Sequence, residues 1–99
     1  MSKDAFKELE KKYEKVVSLM PEDKFNSHEF ILKLAQKYQK LYVQALIEYA
    51  DNDQPFQSVH KEIAKRLKKR DDLVVHIDDK SSINIFGLKN KAAIWRKVK

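Results

Sequence analysis

The chain has no cysteine, one glycine and two prolines among 99 residues, and each shortage removes a class of chemistry. Without cysteine there is no disulfide, no thiolate metal site and no thiol nucleophile. With Gly87 alone, neither a P-loop nor a dinucleotide-binding turn can form, because those loops need several glycines for backbone N–H groups to approach phosphate. Long apolar runs are missing too, and none approaches the roughly 20 residues of a membrane span. The opening MSKDAFKELEKK is charged from Lys3 onward and holds no apolar stretch of the signal-peptide kind. These absences predict a soluble, cytoplasmic protein without a membrane partner. A chain of this length is one domain, residues 1–99, able to bury roughly two-thirds of its unfolded surface without staples.

What the chain has is charge, and it is unevenly placed. Lysine and arginine number 21 against 15 acids, a net +6. The first 26 residues are balanced. Residues 56–70 hold six basic side chains against the single Glu62, and residues 83–99 hold five with no acid. An acidic stretch, Asp71 to Ser82, lies between them. Such asymmetry points to a polyanionic partner, although a solvated lysine face is an equally ordinary use of the same residues.

Apolar spacing predicts three helices. The first, residues 3–20, places Phe6, Leu9, Tyr13, Val16, Val17 and Met20 on one stripe and stops at Pro21. The second, residues 26–50, starts with a capping box of Asn26 and Glu29, and Phe25 and Phe30 are spaced as a hydrophobic staple. Its broad apolar face runs through Phe30, Leu34, Tyr38, Leu41, Tyr42, Ala45 and Tyr49. A second line, Leu32, Val43 and Ile47, lies opposite, so this helix reads as a sandwiched central beam. The turn residues ADNDQP lead into a third helix, residues 54–70, with Phe56, Val59, Ile63 and Leu67 inward. The period then changes to two. Leu73, Val75 and Ile77 alternate with Val74, His76 and Asp78, DDKSS reads as a polar reversal, and a second alternation covers Lys91 to Val98. Residues 73–98 are therefore expected as a β-hairpin with a long basic loop, and Trp95 as a core anchor whose indole N–H finds a partner. The fold class is α+β, mainly helical.

PFQSVHKEIAKRLKKR, followed by LVVHID and AAIWRKV, resembles the last helix and wing of a winged helix-turn-helix domain. The whole chain also resembles small bacterial proteins of unassigned role that share a SHEFI-type helix and an FG…W segment, a resemblance that implies no activity. The winged-helix resemblance implies that the third helix enters a DNA major groove and that the hairpin touches the neighbouring backbone. Carried onto this sequence, it makes Gln57 and Ser58 base-contacting and Lys61, Lys65, Lys68 and Lys69 phosphate-contacting. Lys89, Lys91, Arg96 and Lys97 serve the wing. Lysine outnumbers arginine there, which favours loose phosphate contact over base-specific reading.

Catalysis draws little from the sequence. His28, His60 and His76 fall in three elements without ligand spacing, and Asp71, Asp72, Asp78 and Asp79 read as turn residues. No enzyme activity, metal, cofactor or small-molecule substrate is expected. The alternative to nucleic-acid binding is a protein-interaction module, with a homodimer formed through the first two helices.

Overall fold

The computed structural model describes residues 5–98. Its elements are α1 (Ala5–Glu10), α2 (Tyr13–Leu19), β1 (Lys24–Asn26), α3 (Ser27–Lys37), α4 (Gln39–Glu48), α5 (Pro55–Lys68), β2 (Val74–Ile83) and β3 (Lys89–Lys97). The protein is α+β, with five helices and one antiparallel sheet in the order β1-β3-β2 among the described residues.

Two of the three expected helices are each divided in two. Lys3 and Asp4 lie outside the described residues, and the remainder of the first breaks at Lys11 and Lys12, where the Lys12 N–H turns back to the Leu9 carbonyl at 2.8 Å. The stripe on both pieces is nonetheless buried: Phe6, Leu9, Tyr13, Val16, Val17 and Met20 all join the core of this one chain. The expected central helix breaks at Tyr38, whose φ of −125° and ψ of 59° leave the helical region without a Gly or Pro nearby. Two different sets of neighbours meet there. Both helices pack on α5, but α3 also packs on α2, β1 and β3 whereas α4 packs on α1, and packing of this kind overrides local helix propensity. The central beam is consequently not sandwiched. Leu32, Val43 and Ile47 are 43%, 50% and 67% exposed.

The start of α3 forms as its sequence dictates. Asn26 Oδ1 accepts from Glu29 N at 2.8 Å, and Glu29 Oε1 accepts from Asn26 N at 2.9 Å. Phe25 and Phe30 stack with ring centroids 6.2 Å apart. The same three residues that lead into the cap, Lys24 to Asn26, also form β1, a strand too short to stand alone. It exists because Phe25 and its neighbours pair with Trp95 and the residues beside it on β3.

The hairpin is longer and its loop tighter than the sequence suggests. DDKSS is strand, and the reversal occupies residues 84–88. Asn84 Oδ1 accepts from Phe86 N and Leu88 N at 2.9 and 3.0 Å, and Gly87 adopts φ 81°. No atom lies within 4 Å of a Cβ built on Gly87, so its requirement is conformational, not steric. A register shift between His76 and Asp78 inserts Ile77 as an extra residue. Val74 is buried, while Val75 and Ile77 are 38% and 40% exposed. Because His76 pairs with the buried Trp95, Val75 falls on the outer side, and the extra residue reverses the faces only beyond Ile77.

Candidate functional site

A cavity of about 570 Å³ opens where α3, α5 and the hairpin converge. That volume lies within the roughly 300–1,000 Å³ typical of small-ligand sites. Ser27, His28 and Ile31 form one wall, Phe56, Gln57, His60 and Lys61 a second, and Asn84, Phe86, Asn90 and Lys91 a third. Each wall follows from local structure. The capping box turns the first residues of α3 toward the sheet, and Pro55 at the first position of α5 starts that helix beside them. The Asn84 turn folds Phe86 back toward α5.

Three rings meet at the mouth. Phe56 and Phe86 pack edge to face with centroids 4.7 Å apart, and His60 lies nearly parallel to Phe86 at 5.8 Å with an interplanar angle of 8°. Both phenylalanines remain open to solvent, at 42% and 51% exposure. His60 Nε2 and Tyr42 Oη share a hydrogen bond of 2.7 Å. Burial, and then the neighbouring His28, push the His60 pKa down to about 4, so the imidazole is neutral near pH 7. Burial also raises the Tyr42 phenol above its ordinary value. His28 Nδ1 is buried without a hydrogen-bond partner among the described residues.

The polar groups of the walls are largely unused. Asn84 commits its carbonyl oxygen to the turn, and its amide nitrogen, like the side chains of Gln57 and Asn90, has no hydrogen-bond partner among the described residues. No acid pairs with Lys61 or Lys91 among those residues either. The single acid on the cavity is Asp53, at the end where α5 begins.

Of the residues singled out in the sequence, Gln57, Lys61 and Lys91 line this cavity. Ser58 is half-buried beside Gln57 in the first turn of α5. Lys65 and Lys68 continue the line of Lys61 down the exposed face of α5, with Lys69 just past its end. Lys89 is exposed where β3 begins. Arg96 is set apart, because it alternates with the inward Trp95 and so projects from the far side of the sheet. Lys97 is committed elsewhere, with Nζ donating to the Met20 carbonyl at 2.7 Å.

No protein-family model, curated protein or solved structure matches the chain. The site rests on its own geometry. Sequence reasoning missed the ring cluster, since Phe56 reads as an inward residue of the third helix and Phe86 falls in the loop of the hairpin. It also missed that His28 and His60 face one cavity. The one signal present was Gly87, which marks the turn that brings Phe86 around.

Among the described residues, no group of three or more His, Asp or Glu side chains is arranged to hold a metal ion. No helix is long and apolar enough to cross a membrane among those residues.

Proposed function

We propose that this chain is a small winged-helix-like DNA-binding protein that contacts phosphates through α5 and the hairpin. The observation that carries the reading is the convergence of Gln57 and Lys61 on α5 with Lys91 on β3 at one cavity rim. Lys61 and Lys91 are thirty positions apart in sequence, and neither charge is spent on an acid among the described residues. Arg66 and Arg70, by contrast, are spent internally: Arg66 pairs with Glu62 at 2.7 Å, and Arg70 with Asp72 at 2.9 Å. The lysine line 61, 65, 68 has the one-turn spacing that follows a phosphate backbone. Pairing of β1 with β3 ties the hairpin to the residues that lead into α3. Neutralised phosphates release counterions, so affinity for duplex should fall steeply with salt.

The test is the double variant Lys61→Glu/Lys65→Glu in an electrophoretic mobility shift across a salt series. It is expected to lose most duplex binding and to keep the wild-type circular dichroism. Undiminished binding by the variant would remove α5 from the contact surface.

A second reading, self-association as an interaction module, has its own support. Val43 and Ile47 stand one turn apart on α4 and Leu32 is on α3, all three exposed. The first-helix stripe is spent inside the chain, so a second copy would meet these three side chains instead. Light scattering separates the two states.

A further inference from the structure

The ring-lined cavity between α5 and the hairpin has a chemistry that phosphate contact alone does not use. Its mouth carries the open rings of Phe56 and Phe86, its walls carry amide side chains with unused hydrogen-bonding groups, Gln57, Asn84 and Asn90 among them, and its rim carries two lysines without acid partners among the described residues. That combination is what an unpaired nucleotide needs. A base has a π-face for stacking, a polar edge for amides, and a phosphate for a cation.

We infer that this cavity receives one unpaired base of a DNA strand, stacked on one of the rings of Phe86 and Phe56 and edge-on to the other, with the adjoining phosphate held by Lys61 and Lys91. The inference rests on the DNA-binding reading and names the part of the ligand that the cavity takes. Phe86 and His60 are only 5.8 Å apart, too close for a base to slide between them. The base therefore stacks on a ring face open to the cavity. Gln57, Asn84 and Asn90 surround its edge, and such amides match adenine, which offers one donor and one acceptor side by side. His60 lies nearly parallel to Phe86 and is held in place by Tyr42, which fixes the ring cluster. Asp53 lies at the end of the cavity where α5 begins, and its charge disfavours a phosphate there, which leaves the Lys61 and Lys91 rim for it. Fully paired duplex cannot fill the site without extruding a base, at a cost of a few kcal/mol in unstacking. A strand that already presents a loose base avoids that cost.

Fluorescence anisotropy with three labelled duplexes of one sequence tests this. One is fully paired, one carries a single-adenine bulge, and one carries the same bulge as an abasic residue. The wild-type protein is expected to bind the adenine bulge about tenfold more tightly than either of the others, the size of one stacked base. Phe86→Ala should bring the three affinities together, and Phe86→Tyr should restore the preference. Phe56→Ala serves as a second variant, and Trp95 fluorescence reports that each variant is folded. Equal affinity for all three duplexes overturns the pocket and leaves phosphate contact standing. Equal preference for both bulges means that bendability is read instead of the base, and also overturns it. Failure to bind any duplex overturns both readings.

Discussion

Ser27 and Trp95 are joined by a hydrogen bond of 2.9 Å from the indole Nε1 to Oγ, both side chains being buried. This single contact fastens the first turn of α3 to the strand that carries Lys91, and so helps hold two walls of the cavity together. Ser27→Ala leaves the indole N–H buried without a partner, which costs about 1–3 kcal/mol. A urea titration should show the midpoint fall with the slope unchanged. His60 sets the pH response of the same region. Its pKa is about 4 in the folded chain and about 6.5 when unfolded. Between those values the unfolded state binds the extra proton, so stability is fullest above pH 6.5 and is lost as pH falls toward 4. After discounting for partial exposure, the loss is about 1–2 kcal/mol. His60→Phe keeps a ring against Phe86 and should remove this component, read as a flatter dependence of the urea midpoint on pH over that interval.

Among the elements, α3 shows most directly how a local code serves a distant site. Its cap side chain has two tasks, since Asn26 Oδ1 accepts from Glu29 N while Nδ2 donates to Ser82 Oγ on β2 at 3.0 Å. Asn26→Ala removes both and is expected to cost about 1–2 kcal/mol, measurable as a shift in the chemical unfolding midpoint. The capping box was legible because it depends only on residues three apart. The divisions within the first and second expected helices were not legible in that way. Neither carries a breaker, and the bend at Tyr38 answers to packing partners on other elements. The hairpin is intermediate. Its strands follow from β-branched alternation, but which face turns inward depends on the pairing of His76 with Trp95 on β3, and nothing within β2 marks it.

For the molecule as a whole, the question is what a second copy or a polyanion would meet. The side chains on the first two helices that make a core are used within the chain: Phe6 packs edge to face on Tyr49, and Tyr13 does the same on Phe30 while donating from Oη to the Ile63 carbonyl at 2.9 Å. Self-association through α3 and α4 would then use Leu32, Val43 and Ile47. On that reading, light scattering at micromolar concentration gives about twice the 11.7 kDa of one chain, and Val43→Lys/Ile47→Lys returns it to a single chain. A full-length monomer leaves these residues as ordinary exposed apolar positions.

The amino-acid sequence by itself determined the α+β class, the capped start of α3, the span of α5 and the burial of Trp95 with its N–H satisfied. Each depends on neighbours within a few residues or on a simple period. It also determined where the lysines lie along α5, because helical spacing alone sets that line. Only the tertiary structure decided the rest. Strand β1 forms because β3 is there to pair with it, and Tyr38 bends because α3 and α4 serve different partners. Phe56, His60 and Phe86 meet only when the hairpin folds back on α5. A contact between residues thirty positions apart has no local energetic signature, so the cavity, the element that gives this surface its chemistry, came into view only when the chain was folded.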